Sequence, residues 1–198
     1  MADVPGPAAF RDPAFAARIR AGDRAALEAV VRAYLPQVLR AALGAGLSRE
    51  RAEDATQETF KTFLETCHRF EGRSHVRTWL FGILYHKLSE TRRAAQREER
   101  TDDIDEVMEH RFDARGMWAR PPAADQALSD AQIRRYLEQC LEPLSERQRL
   151  AFVLREVEGL DSEEICNVLD VSRTNLGVLL FRARNKLREC LERLNVRG

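Results

Sequence analysis

The chain has 198 residues, 44% of them apolar, and its 32 basic and 32 acidic side chains cancel to zero net charge. That length accommodates one domain or two small ones, and a zero balance removes bulk charge as an argument for nucleic acid. No apolar run approaches the ~20 residues of a membrane span, and residues 1–13 lack the basic start and apolar core of a secretion signal, so the expected compartment is the cytoplasm.

Ala, Leu, Arg and Glu dominate while β-branched residues are scarce, which favours helices throughout. Residues 1–13, with Pro5, Pro7 and Pro13, read as a loose arm. A short helix follows from Asp12–Pro13 to Ala21, with Phe15 and Ile19 four apart. From Asp23 to about Leu43, Leu27, Val30, Val31, Tyr34, Leu35, Val38 and Leu39 recur at helical spacing. Pro36 is expected either to bend this helix or to begin a new one. Leu43–Leu47 is a glycine turn, and Ser48 caps a helix with Ala52, Ala55, Thr59, Phe60, Phe63 and Leu64 on its apolar side. After the loop 70–74, a helix beginning near Ser74 or His75 carries Val76, Trp79, Leu80, Ile83, Leu84 and Leu88, then becomes basic. The aromatics Trp79, Phe81 and Tyr85 fit either core packing or stacking on unpaired bases.

Residues 98–127 break the helical pattern and read as an acidic flexible linker, with one short helix around Ile104 to His110. Phe112, Met117 and Trp118 stand out in it, packing either locally or into a partner groove. A second helical unit spans 128–198. Ile133, Leu137 and Leu141 mark its first helix. Ser145 and Gln148 make a capping box, Gly159 fits a left-handed stop, and Asp161 with Glu164 caps a short helix. Asp170–Val171 forms a tight turn, and Ser172 caps a last helix that runs to about Leu194. The expected fold is therefore all-α: two small helical domains, 14–97 and 128–198, joined by the acidic linker.

Charge is distributed unevenly. Residues 69–100 hold eight Arg/Lys against four Glu, residues 101–130 hold eight Asp/Glu against three Arg, and residues 172–198 hold seven Arg/Lys against two Glu. Cys67, Cys140, Cys166 and Cys190 share no short spacing, so the expectation is four buried or half-buried thiols, Cys166 inert, in a reducing compartment. Without paired ligands, and with His68, His75, His86 and His110 dispersed, neither a metal nor a cofactor is expected.

From about Leu144 to Arg193, the order short helix, tight turn, longer helix is that of a helix-turn-helix DNA-binding module. Ile165, Leu169, Val171, Leu176, Leu180 and Ala183 can share an interior, and Cys166 fills a close-approach position. Ser172 and Asn175 lie where free backbone N–H groups favour phosphate, and Arg173, Arg182, Arg184, Lys186 and Arg188 supply charge.

Two groups of segments resemble one family. In the first unit they are Ala52–Phe60 (AEDATQETF), Arg69–Ser74 (RFEGRS) and Arg77–Ile83 (RTWLFGI). In the second they are Leu144–Gln148 (LSERQ), Leu154–Leu160 (LREVEGL), Glu163–Ile165 and Phe181–Leu187 (FRARNKL). Together they resemble a bacterial RNA polymerase sigma factor of the extracytoplasmic-function (ECF) type. The resemblance implies an alternative sigma factor that binds core RNA polymerase, recognises the −35 and −10 promoter elements and promotes melting. It implies that Asp54, Gln57, Glu58 and Lys61 bind the polymerase clamp helices. Phe70, Arg73, Ser74, His75, Arg77, Lys87, Arg92 and Arg93 would engage the −10 element, with the loop 70–75 capturing a flipped base. Ser172, Arg173, Asn175, Gly177, Val178, Phe181, Arg182 and Arg184 would read the −35 element, and the second domain would also touch the polymerase flap. It further implies an anti-sigma partner, zinc-binding and membrane-associated in many such systems.

The chain departs from the family pattern at Gly177 and Val178, where members often carry polar or basic residues, and in the run His86–Glu90, which lacks the usual Asn and Asp. Two other classes are kept in view. A stand-alone regulator would rest on the second domain alone and would dimerise on a palindrome. An enzyme would need a nucleophile–base set or a phosphate loop, and none stands out.

Overall fold

The structure is a computed structural model that describes residues 9–95, 136 and 139–195, with backbone alone at 9, 91–95 and 195. The expected linker, its short helix and the Phe112–Pro122 stretch lie outside the described residues, as does most of the helix expected before Pro143. Among the described residues every regular element is helical and there are no strands.

Local capping chemistry explains most helix starts. Asp12 accepts from the Ala14 amide at 2.8 Å and opens α1 (Pro13–Arg20), with Pro13 in the first turn, where its missing N–H costs nothing. Asp23 accepts from the Ala26 amide at 2.8 Å and opens α2 (Arg24–Gly44). That bond, with Arg18 as a further hydrogen-bond donor, holds the Asp23 carboxyl below the usual carboxylate range. Ser48 accepts from the Arg51 amide and opens α3 (Arg49–Thr66). A 3-10 turn, Cys67–Arg69, leads to the loop before α4 (Val76–Ala95).

Of the two alternatives at Pro36, a new helix is excluded: α2 runs as one element from Arg24 to Gly44 with Pro36 inside it. Pro36 is exposed while Tyr34 and Val38 beside it are buried, so packing on the inner face holds the helix across the missing donor. The arm is also not loose throughout. Ala9–Arg11 forms a 3-10 turn, and Phe10 is buried with its ring 5.1 Å from Phe15 and 5.2 Å from Tyr34. An aromatic ring of this size gains enough from burial to tie down its neighbours.

The second unit contains α5 (Glu146–Phe152), which continues into a π-helical turn Val153–Val157, then α6 (Ser162–Leu169) and α7 (Arg173–Asn195). Ser145 with Gln148 and Asp161 with Glu164 form reciprocal capping boxes. Gly159 has φ +64°, as a left-handed stop requires.

The two units pack on each other. One contiguous apolar cluster runs from Val30 and Val38 through Phe63, Leu80 and Leu84 to Leu154, Ile165 and Leu169. The glycine turn after α2 receives α5: a Cβ on Gly44 would lie 2.6 Å from Val153 Cγ2, and Gly46, at φ +95°, leaves room for the Arg149 guanidinium. Burial there holds the Arg149 pKa below the usual arginine value. Arg40 donates to both carboxylate oxygens of Glu158, at 3.0 and 3.1 Å, and the Glu158 side chain is only 2% exposed. Arg147 donates to the Tyr85 hydroxyl at 2.8 Å.

A second, smaller cluster holds Cys140, Leu144, Ala183 and Leu187. Here the expectation of four thiols fails, because Cys140 and Cys190 form a disulfide with their Cα atoms 5.4 Å apart. Their separation of 50 positions hid the pairing from spacing arguments. Cys67 and Cys166 are free thiols, the first buried and the second half-buried rather than fully buried.

Candidate nucleic-acid interface

The helix-turn-helix is built as its residues require. Asp170 adopts a left-handed conformation (φ 52°) that an Asp tolerates at modest cost, and it turns the chain between α6 and α7. Ser172 accepts from the Asn175 amide at 3.2 Å and starts α7. Leu176, Leu180, Ala183 and Leu187 are buried on its inner side. The residues expected to read duplex DNA come together on its outer side: Ser172, Arg173, Asn175, Gly177, Val178, Phe181 and Arg184 are exposed and Arg182 is half-buried. Acidic neighbours face the two exposed arginines, Glu163 at 3.8 Å from Arg173 and Glu156 at 2.6 Å from Arg184.

The residues expected at the −10 element fall into three groups. Glu71, Gly72, Arg73 and Ser74 form an exposed loop. Gly72 (φ +72°) is required twice, by its backbone conformation and by the Ala16 methyl 2.9 Å from where a Cβ would sit. Phe70 is not presented to a base. It is 5% exposed, with its ring stacked 5.1 Å from Trp79, whose own ring meets Phe63 edge-on at 5.7 Å. Phe70 is thus the anchor of the loop, and Trp79 belongs to the core. His75 is half-buried and its Nδ1 accepts from the Arg77 amide at 3.1 Å, so it caps α4.

Arg77 is the largest departure. Its Nε and Nη2 donate to the two oxygens of Glu164 at 3.1 and 2.6 Å, and the Thr78 hydroxyl donates to the same carboxylate at 3.1 Å. Burial would raise the Glu164 pKa, but the bonds from Arg77, the Asp161 amide and Thr78 hold it below the usual carboxylate range. Glu164 sits in the first turn of α6, inside the helix-turn-helix. A cleft of about 520 Å³ lies between the two units here; the first contributes Arg11, Arg20 and Arg73 together with Asp12 and Glu71, the second Asp161, Glu163 and Glu164. The acidic start of α6 therefore shares this cleft with the loop before α4. Tyr34 shares this environment, and burial pushes its phenol up to about 12, with Arg77 opposing and Glu164 adding. Lys87 is half-buried, 3.9 Å from Glu90. The side chains of Arg92 and Arg93 lie outside the described residues.

Asp54, Gln57, Glu58 and Lys61 are all exposed on one face of α3, with Lys61 3.4 Å from Glu58. Leu64, 45% exposed, extends that face by a turn. It was missed because a leucine at helical spacing reads as core. The cross-domain partners of Glu158 and Glu164 were missed because such a pairing carries no local signal. Among the described residues no helix is long and apolar enough to cross a membrane, and no group of three or more His, Cys, Asp or Glu is placed to hold a metal ion.

Comparison with known proteins covers both units. The family model for sigma-70 region 2 matches residues 30–98, and that for sigma-70, region 4 matches residues 134–187. A probable RNA polymerase sigma factor of Haemophilus influenzae is 30% identical over 151 residues, 72% of this chain and 77% of that protein. The ECF RNA polymerase sigma-E factor of Escherichia coli K12 is 25% identical over 176 residues, 89% of this chain and 92% of that one. Among solved structures, the sigma factor RpoE of Bartonella quintana, in complex with the anti-sigma factor NepR, superposes with a TM-score of 0.62 at 24% identity, over 83% of this chain and 96% of that one. CnrH, in complex with the cytosolic domain of CnrY, gives 0.66 at 21% identity, over 92% of this chain and 97% of that one.

Proposed function

The chain belongs to the sigma-70 family, as an alternative sigma factor of the ECF type that directs transcription initiation, and from that premise we propose how its residues divide the work. Residues 14–97 act as a region 2-like domain. They hold the polymerase clamp helices through Asp54, Gln57, Glu58 and Lys61, and engage the −10 element through Arg73, Ser74, Arg77, Lys87, Arg92 and Arg93. Phe70 and His75 position that loop instead of touching a base. Residues 128–198 act as a region 4-like domain whose α7 reads the −35 element and which also meets the flap. Residues 98–127 join the two. The polymerase carries out the chemistry, the sigma chain is not an enzyme, and the setting is the cytoplasm.

The observation that carries this reading is the pairing of an open recognition helix with a closed domain interface. α7 presents its outer face to solvent, while Arg77 is taken by Glu164. The free chain is therefore a closed form that core polymerase opens, drawing the two reading surfaces apart to match the promoter elements. We propose that an anti-sigma protein stabilises the same closed form, since a solved protein of this fold, RpoE of Bartonella quintana, was captured with an anti-sigma factor.

The test is run-off transcription with core polymerase on a promoter library. A defined pair of elements should be enriched, and no RNA from any promoter would overturn the reading. Charge reversal of Asp54, Glu58 and Lys61 together should abolish transcription while leaving the helical signal unchanged. Full transcription by that variant would remove the clamp assignment.

A further inference from the structure

The outer face of α7 has an apolar centre. Thr174, Gly177, Val178 and Phe181 stand at positions i, i+3, i+4 and i+7, which share one side of a helix. Val178 is 41% and Phe181 39% exposed. The charged side chains lie at the rim, with Arg173 near Glu163 and Arg184 bonded to Glu156. Exposed large apolar side chains cluster at binding surfaces more often than they occur as neighbours by accident.

Gly177 supplies the second observation. Its backbone is helical, and a Cβ built there would meet nothing within 4 Å. Among the described residues no packing calls for glycine there, and glycine is the least favourable helix residue after proline. The missing side chain therefore answers to something outside the chain that approaches the α7 backbone closely. Duplex DNA in contact with a recognition helix is such an object.

In the major groove, guanine and adenine are read by paired donors and acceptors, which Val178 and Phe181 lack. Thymine alone among the four bases offers a methyl group there, and apolar side chains contact it. We propose that Val178 and Phe181 read thymine methyl groups in the −35 duplex, and that Gly177 lets α7 sit deep enough for them to reach. Arg173 and Arg184 then contact the flanking phosphates and fix register without specifying sequence. This inference rests on the assignment of α7 as the −35 reader.

Holoenzyme reconstituted from core polymerase and the full chain is tested on a promoter enriched from the library. Each thymine of the −35 element is replaced in turn by deoxyuridine, which removes the methyl and nothing else. Loss of one buried methyl corresponds to about a four-fold fall in promoter occupancy, expected at one or two positions and not in the spacer. Val178→Ala and Phe181→Ala should each erase the thymine–uracil difference at one of those positions; both residues are exposed, so the fold should tolerate them. Gly177→Ala should raise the Tm and lower occupancy on every promoter. Normal transcription that is indifferent to uracil throughout the −35 element would overturn the inference while leaving the sigma assignment standing. Occupancy unchanged or improved by Gly177→Ala would overturn it too. A library with no active promoter would overturn both.

Discussion

Arg77 and Glu164, 87 positions apart, meet through two hydrogen bonds of 3.1 and 2.6 Å, and each has a second task. Arg77 lies on the face expected to hold promoter DNA. Glu164 closes the capping box of α6 by accepting from the Asp161 amide at 3.0 Å. A carboxylate that caps a helix is already oriented and partly desolvated, so it can take an arginine across the interface without much further loss of freedom.

Glu164→Gln keeps a side chain that can complete the capping box but removes the charge. Hydrogen bonds to charged groups contribute about 1.5–3 kcal/mol, so the closed form should lose a comparable amount. Fluorescence transfer between labels on α1 and α7 should report greater separation, and the isolated variant should bind promoter DNA more tightly than wild type. Unchanged separation and affinity would remove the clasp from the mechanism.

The same contact has a pH signature. The folded pKa of Glu164 lies below its ordinary value of 4.5. Its contribution to stability is therefore complete above that ordinary value and disappears as pH falls through the lowered folded one. Melting curves should show the wild type losing its advantage over Glu164→Gln on acidification through this window, with a constant difference at neutral pH. A difference constant down to the most acidic folded condition would contradict the ion pair.

Gly44 tests the other side of the interface. Adding a methyl there forces it against Val153 Cγ2, 2.6 Å away. Overpacking of this kind costs roughly 1–3 kcal/mol, so Gly44→Ala should lower the Tm. The double variant with Val153→Ala should lose less than the sum of the two single losses, because the residues are in contact. Simple additivity in denaturant titrations would place the strain elsewhere.

The Cys140–Cys190 disulfide closes a loop of 50 positions, and cross-links of this span stabilise by about 4 kcal/mol at most. A reductant should lower the Tm of the wild type and leave Cys140→Ser unaffected. Mass spectrometry with alkylation should show two thiols before reduction and four after it. Four thiols without reductant would mean that the pair stays open.

Much of the fold was legible because its determinants are local. Asp12, Asp23, Ser48, Ser145, Asp161 and Ser172 cap helices through atoms two or three residues away, and the left-handed Asp170 and Gly159 follow from the chain's own sterics. The outer face of α7 was legible for the same reason. Most of the misreadings concern contacts between separate elements. Phe70 looked like a loop aromatic until Trp79 covered it, Phe10 looked like part of a loose arm until Phe15 and Tyr34 enclosed it, and the disulfide joins residues with no short spacing. Arg40 finds Glu158 across 118 positions, where nothing in either neighbourhood marks the match.

In the proposed closed form the clasp occupies Arg77 and leaves α7 open, which would give the free chain an order of operations. It would sample duplex while holding separated strands less well. If about one molecule in a hundred is open, single-strand affinity is weakened about 100-fold relative to the open form. A cell holding more of this chain than of polymerase would then keep its transient single strands, at replication forks and repair gaps, clear of the surplus.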